Sequence, residues 1–195
     1  RLMEELRNLS GKPSMLVLRP ADAAETSVAW AMAMENFETP SALVLSRQNL
    51  PALPAASGDR FAEAAAGCRR GGYTVVEAQN PDVVLVANGS EVSLLCDVAA
   101  ELKAQGINAR VVSVPSIGIF SNQPLEYRQA VLTPGVPAFG LTAGLPSTLR
   151  GVVGADGEVF GLDHFGASAP YKVLDEKFGF TVPAVKARVL AFLGK

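Results

Sequence analysis

The sequence has few of the residues from which metal sites and disulfide frameworks are built. Its 195 residues include one histidine and two cysteines. Because a zinc site usually needs several His or Cys ligands, we expect a structural or interface role for His164. Cys68 and Cys96 stand far apart without a CxxC pair, which indicates two free thiols in a reducing, cytoplasmic environment.

Charge and long apolar runs are also scarce. Only 18% of the residues are charged and the net charge is −2, so no basic field attracts nucleic acid or anionic lipid. The apolar runs are short and broken by Gly, Pro or charge, and none approaches the roughly 18 residues of a membrane span. With 49% hydrophobic residues, the chain can still bury a core.

The motifs of nucleotide binding and nucleophilic catalysis are absent or incomplete. Neither GxxxxGK[ST] nor a GxGxxG after a strand occurs. Residues 166–170 (GASAP) resemble GxSxG, but proline replaces the last glycine, and we expect Ser168 to cap a helix. Residues 88–90 (NGS) lie between a predicted strand and helix, where N–H groups can meet an anion. We interpret this turn as structural, with Ser90 as a helix cap.

Apolar periodicity predicts a strand–helix–strand unit at the start of the chain. Residues 15–18 predict a buried strand. Asp22 predicts the N-cap of a helix, with Glu25 completing a capping box. Residues 42–45 predict a second strand, which the intervening helix places parallel to the first.

A second α/β unit is predicted after a linker. Glycine and proline interrupt residues 50–72, which we interpret as a linker with at most a short helix over residues 61–66 and a domain boundary near Gly71 or Gly72. Strands are predicted at residues 82–87, 109–114, 137–141 and 159–162, the last after a hairpin-type turn at residues 156–157. Helices are predicted from Ser90 to a Gly106 cap, from Ser168 with Pro170, and from Thr181. The predicted fold is α/β, with two open, mostly parallel sheets flanked by helices, the first one incomplete.

Two arginines, Arg19 and Arg47, each follow the carboxyl end of a predicted parallel strand. Ligands of open α/β sheets collect at that edge, and a guanidinium forms paired charge-assisted bonds to a phosphate. Spacing alone leaves both phosphate binding and a surface ion pair open for each arginine.

Residues 18–22 (LRPAD) and 45–51 (LSRQNLP) resemble the corresponding stretches of transketolases. Similar stretches follow in the family's order at residues 70–73, 88–92, 109–113, 165–170 and 177–181. The resemblance spans about residues 14–182. It implies a transferase that moves a two-carbon ketol unit between sugar phosphates in the pentose phosphate pathway, with thiamine diphosphate and Mg²⁺ or Ca²⁺, as a homodimer.

The resemblance also implies a domain organisation and one site residue. Residues 1–70 would be part of the pyrimidine-binding domain with its linker, and residues 71–195 the C-terminal domain. The arginine of the family's Ser-Arg-Gln-Asn stretch binds the substrate's phosphate, and it matches Arg47. Arg19 gains no such role and is expected to be structural, and no catalytic, cofactor-binding or metal-binding residue is carried over.

Several functional parts of the family have no counterpart in this sequence. The glutamate that activates the cofactor's pyrimidine ring, the His-rich segment and the Gly-Asp-Gly motif of the metal site lie upstream in transketolases. We therefore expect no cofactor to bind this chain alone, and no activity without the rest of the transketolase chain. Arg1 in place of Met, and Leu2, Leu6 and Leu9 at helical spacing, indicate a fragment that begins inside or just before a helix.

Residues 139–150 (FGLTAGLPSTLR) depart from the commoner family pattern. Many members have an acidic residue just after this strand, where this chain has residues 141–143 (LTA), so no regulatory role is carried over to that loop. Two other hypotheses stay open. One is a related thiamine-diphosphate enzyme, such as deoxyxylulose-phosphate synthase or the small subunit of a 2-oxo-acid dehydrogenase. Residues 46–49 (SRQN) argue against this hypothesis. The other is a non-catalytic C-terminal module for assembly or regulation.

Overall fold

The computed structural model describes residues 14–195. The helix predicted from Leu2, Leu6 and Leu9 lies outside the described residues. The strands, in chain order, are β1 (Leu16–Leu18), β2 (Ser41–Leu43), β3 (Tyr73–Val76), β4 (Val83–Ala87), β5 (Ala109–Ser113), β6 (Ala138–Leu141) and β7 (Glu158–Phe160). The helices described are α1 (Ala23–Glu35), α2 (Arg60–Cys68), α3 (Glu91–Lys103), α4 (Ile117–Ser121), α5 (Leu125–Leu132), α6 (Ser147–Val153), α7 (Tyr171–Phe178) and α8 (Val182–Phe192).

The strands form two sheets, as predicted. β1 and β2 pair in parallel as a two-stranded sheet. The other five strands form a sheet in the order β3-β5-β4-β6-β7, in which β3 is antiparallel and the remaining neighbours are parallel. The predicted α/β class, with mostly parallel sheets and an incomplete first one, is therefore confirmed.

The central strand β4 divides the core into two layers, because successive side chains of a strand point to opposite faces. Val83, Leu85 and Ala87 pack into a layer with α1, α3 and α8, whereas Val84 and Val86 pack with α4, α5 and α6. All five β4 residues are buried, as expected for a parallel strand with helices on both faces. Within residues 14–195 the longest helices have 13 residues, and none is a candidate for crossing a bilayer.

The predictions for local caps have mixed outcomes. Asp22 caps α1 by accepting from Glu25 N at 2.8 Å, but Glu25 reaches Ala21 N, one residue beyond the box geometry. Gly106 has a φ of 77° and lies in a Schellman turn, with Ile107 N donating to Leu102 O. This confirms the left-handed end of α3.

Two serine caps were predicted wrongly. Ser90 precedes α3, but its hydroxyl donates to Glu91 Oε1 and makes no cap bond. Ser168 is not the cap of α7, because that helix begins at Tyr171 and Pro170 occupies the N-cap position. The fixed φ of the proline suits a helix start, but its side chain accepts no capping hydrogen bond.

The hairpin predicted at residues 156–157 is also wrong. β7 pairs in parallel with β6, and a parallel pair needs a crossover, which α6 provides. β3, α4, α5 and α6 were not predicted. Each is short, and the described helices α4 and α5 bury only one residue apiece, so they carry little periodic apolar signal.

We predict that Gly71, at the end of the linker, tolerates no side chain. Its φ is +79°, and a Cβ there would stand 2.4 Å from Phe120 N and 2.6 Å from Ser116 O. Gly106 has a similar φ of +77°, and a Cβ there would meet nothing within 4 Å, so it is a matched control. Gly106→Ala should cost about 1 kcal/mol from the left-handed backbone alone.

Gly71→Ala should lose about 1–3 kcal/mol more than Gly106→Ala, because α4 must move away. Urea unfolding measures both free energies. Equal losses in the two variants would show that the linker packs less tightly against α4 than these distances indicate.

Candidate functional site

The polar residues that follow β1, β4 and β6 meet at one place. Arg19 follows β1, Asn88 and Glu91 follow β4, and Thr142 follows β6. The guanidinium Nη1 of Arg19 donates to Asn88 Oδ1 at 2.7 Å and to Thr142 Oγ1 at 2.9 Å. Its Nη2 forms an ion pair with Glu91 Oε2 at 2.5 Å. The two sheets are therefore joined at their carboxyl edges by the side chain of Arg19.

Further hydrogen bonds and a close backbone contact fix the position of this ion pair. Glu91 also accepts from Ala143 N at 3.0 Å and from Ser90 Oγ at 2.6 Å. Gly89 N donates to Arg19 O at 3.0 Å, and a Cβ on Gly89 would stand 2.8 Å from Arg19 Nε. The turn at residues 88–90 thus binds a cation of the chain itself. With its charge neutralised by Glu91, Arg19 is a structural residue, as expected.

Thr142 explains how this chain tolerates the departure at residues 141–143. Its hydroxyl accepts from Arg19 and from Gly144 N at 3.1 Å. A neutral acceptor suffices here because Glu91 already supplies the negative charge that balances Arg19.

Arg47 differs from Arg19 in its surroundings. It lies in residues 44–59, which contain neither helix nor strand, and its side chain is exposed. Among residues 14–195, it makes no hydrogen bond or ion pair. An exposed guanidinium with no partner in the described residues has its N–H donors available to a ligand.

A cavity of about 510 Å³ opens beside the residues that follow Arg47. Gln48 and Asn49 line one side, and Glu91, Asp97 and Asp175 line the other. Burial, and then the negative charge of Glu91, raise the pKa of Asp175. The lining of the cavity includes carboxylates and no Lys or Arg, so it offers a phosphate no cationic side chain.

A second polar cluster joins the same two units. The carboxylate of Glu25 is fully buried and accepts from Tyr73 Oη at 2.6 Å and Ser113 Oγ at 2.8 Å. Asp22 accepts from Arg60 Nε at 2.7 Å and from Leu53 N at 3.0 Å.

The environment shifts the titration of this cluster. Burial raises the pKa of Glu25. Burial acts in the same direction on Asp22, but bonds from Arg60 and from backbone N–H groups outweigh it and lower the pKa of that carboxyl. Burial also raises the pKa of the nearby Tyr73 hydroxyl and Cys68 thiol. None of these groups reaches solvent as a ready acid, base or nucleophile.

The remaining candidates do not form a catalytic group. Cys68 and Cys96 are free thiols, as predicted, and burial raises the pKa of Cys96 to about 12. His164 is exposed, its Nδ1 lies 2.8 Å from Phe165 O, and its ring packs 5.2 Å from Phe178. In the described part of the chain, no hydrogen bond joins His164 to Ser168.

The described residues do not fit a magnesium–diphosphate site. Within residues 14–195, no three His, Cys, Asp or Glu side chains gather where they could hold a metal ion. The acidic groups of the cavity are too few and too mixed with apolar side chains to replace such a cluster.

Sequence reasoning missed the partners of Arg19 and Asp22. Asn88 and Glu91 lie just after a predicted strand end, and that position was a usable signal. Arg60 gave none, because it is 38 residues from Asp22 and lies at the start of a short helix within a predicted linker.

We predict that the ion pair of Arg19 and Glu91 contributes far more to stability than an exposed pair. The side chains of Arg19 and Glu91 are 20% and 6% exposed, whereas those of Arg69 and Glu35 are 49% and 57% exposed. Glu91→Ala leaves a guanidinium between the sheets and should cost about 3 kcal/mol. Glu35→Ala is the matched control and should cost much less, because solvent screens its exposed ion pair. Similar losses in urea unfolding of both variants would contradict the structural role of Arg19.

Comparison with known proteins agrees with the fold and the motifs. A family model of the transketolase-like C-terminal domain matches residues 71–181, and one of the transketolase pyrimidine-binding domain matches residues 2–52. The transketolase of Geobacillus stearothermophilus is 42% identical over 196 residues, covering 99% of this chain and 29% of that protein. The chain thus spans less than a third of the length of the curated relatives it matches.

Solved structures give the same result. A transketolase from Pichia stipitis, in complex with sedoheptulose-7-phosphate, superimposes with a TM-score of 0.82 at 37% identity, over 95% of this chain and 26% of that one. A split-gene transketolase, an inactive β4 tetramer, superimposes with a TM-score of 0.73 at 28% identity, over 99% of this chain and 60% of that one. The chain belongs to the transketolase family.

Proposed function

We propose that the chain is part of a cytoplasmic transketolase, which transfers a two-carbon ketol unit between sugar phosphates in the pentose phosphate pathway. The observation that carries this proposal is the exposed guanidinium of Arg47, which has no partner among residues 14–195. It follows a parallel strand at the edge where open α/β sheets bind ligands. The complex of the Pichia stipitis relative with a sugar phosphate supports the substrate class.

The proposed role of Arg47 is to bind and orient the substrate's phosphate. Its guanidinium would donate two charge-assisted hydrogen bonds to the phosphate oxygens. Fixing one end of a sugar aligns its other end for reaction. Proton transfer is not part of this role, because a guanidinium stays protonated at all physiological pH values.

Thiamine diphosphate supplies the bond-breaking chemistry when it is bound to such enzymes. Since the described residues do not fit its metal site, we propose that the rest of the transketolase chain holds the cofactor and Mg²⁺ or Ca²⁺. Residues 1–70 would belong to the pyrimidine-binding domain with its linker and residues 71–195 to the C-terminal domain, in a homodimer of the complete enzyme.

The phosphate role predicts a substrate-dependent loss in Arg47→Ala. In the complete enzyme, KM for a phosphorylated ketose should rise about 10–100-fold, because a hydrogen bond to a charged group is worth about 1.5–3 kcal/mol. KM for the same ketose without its phosphate should stay within about twofold, since that donor makes no contact that the substitution removes. Steady-state kinetics with both donors measures the ratio.

Arg69→Ala is the control, because it also removes an exposed arginine, at the end of α2 and outside the loop that carries Arg47. It should leave both KM values unchanged. If Arg47→Ala weakens both donors equally, Arg47 does not read the phosphate and the proposed site is wrong.

We also predict that this chain alone has no transketolase activity. The expectation rests on the missing cofactor site, and the inactive tetramer of the split-gene relative supports it. Adding the cofactor and Mg²⁺ to the purified chain should give no turnover of xylulose 5-phosphate and ribose 5-phosphate. Adding a separately produced segment with the preceding domains should restore it.

The split-gene tetramer also favours a second candidate function, that of an assembly subunit. The mixing experiment separates the two. Turnover only in the mixture, lost on Arg47→Ala, supports a substrate-binding part of an enzyme. If turnover in the mixture is the same with Arg47→Ala, the result supports an assembly role. Turnover by the chain alone would contradict both candidate functions.

A further inference from the structure

Within residues 14–195, the segment that carries Arg47 is hydrogen-bonded to the rest of the chain at only two points near that residue. Val44 N donates to Leu18 O at 2.8 Å, and Leu53 N donates to Asp22 Oδ2 at 3.0 Å. Between these points, residues 45–52 make no hydrogen bond with any other part of the described chain. The placement of Arg47 therefore depends on these two attachments.

Both attachments come from one short stretch, residues 18–22, which connects β1 to α1. The first uses a backbone carbonyl and continues the pairing of the two strands. The second uses the side chain of Asp22, which is 2% exposed. It is thus the only side chain within residues 14–195 that hydrogen-bonds the loop between Val44 and Leu53.

The two oxygens of Asp22 accept from different backbone N–H groups. Oδ1 caps α1 by accepting from Glu25 N at 2.8 Å, and it also accepts from Arg60 Nη2 at 3.3 Å. Oδ2 accepts from Leu53 N and from Arg60 Nε. A helix cap needs one side-chain oxygen, so capping alone does not account for the second.

Arg60 holds this second contact in place. Its Nη2 also lies 3.3 Å from Glu25 Oε1, so the guanidinium is held between two buried carboxylates. The side chain of Leu53 is 4% exposed, which anchors the same point of the loop through burial. Asp22, Arg60 and Leu53 thus form a fixed base under the loop that carries Arg47.

We propose that Asp22 is a positioning residue for the substrate's phosphate, acting through Leu53 on the loop that carries Arg47. This inference rests on the proposed function of Arg47. In this role Asp22 does not contact the substrate, and it determines the position of the Arg47 guanidinium.

Asp22→Ser tests the proposal, because serine retains an N-cap oxygen and removes the oxygen that binds Leu53. In the complete enzyme, KM for a phosphorylated ketose should rise about tenfold, since displacement by about 1 Å has effects of this order or larger. KM for the ketose without its phosphate should not change. A purely structural cap would not produce this difference between donors.

Asp59→Ser is the matched control. Asp59 caps α2 by accepting from Ala62 N at 2.9 Å, is exposed, and within residues 14–195 makes no bond to the loop between Val44 and Leu53. It should lower neither donor's kcat/KM. If Asp22→Ser behaves like Asp59→Ser, or weakens both donors equally, the positioning role is wrong.

Two further variants keep the outcome decisive. Should Asp22→Ser fail to assemble, Asp22→Asn has nearly the same shape but only one acceptor oxygen, so it cannot accept from both Glu25 N and Leu53 N. The same donor ratio applies to it. Arg47→Ala is measured alongside. If Arg47→Ala does not change the donor ratio, the proposed function is wrong. If Arg47→Ala changes the ratio but neither Asp22 variant does, only the inference about Asp22 is wrong.

Discussion

The structure depends on the burial of the Glu25 carboxylate between the two sheets. An isolated carboxylate in the interior costs several kcal/mol, so each of its partners must be in place. Ala21 N precedes the linker and Arg60 lies within it, whereas Tyr73 and Ser113 follow it. Only one relative arrangement of the two units satisfies all of them. The cluster therefore contributes specificity of arrangement more than net stability.

This constraint explains how a two-stranded sheet persists. Two strands alone are marginal in water, and β1 and β2 have three residues each. The chain around the connection between β1 and α1 is bonded to the larger unit through Arg19 on one side and through Glu25 on the other. The small sheet is thus held to the five-stranded sheet by these polar contacts together with the apolar layer that Leu18 and α1 share with β4.

The sequence predicted those features that depend on neighbouring residues. Asp22 caps the helix that begins next to it, Gly106 ends the helix just before it, and the apolar run at β4 is a buried strand. What it could not predict depends on distant residues. Arg60 and Asp22 are 38 residues apart, and Arg19 and Thr142 are 123 apart. Periodicity carries no information about such pairs. The family resemblance singled out Arg47, but no pattern pointed to the attachment of its loop.

Arg19 and Arg47 show why position at a sheet edge does not decide function. Both follow a parallel strand of the same small sheet, and spacing alone gave both the same two interpretations. The difference lies in the acceptors around them. Arg19 meets Glu91, Asn88 and Thr142, which neutralise its charge and use its donors. Arg47 meets no such acceptor in the part of the chain that the structure describes.

The cavity next to the loop of Arg47 offers an anion no cationic partner of its own. The cavity beside residues 48–51 is lined by Glu91, Asp97 and Asp175 but by no Lys or Arg, and Glu91 is already paired with Arg19. A phosphate therefore finds no charge-assisted donor among the cavity's charged side chains. Under the proposed function, the phosphate would be bound by the exposed guanidinium of Arg47 and not by the side chains of the cavity.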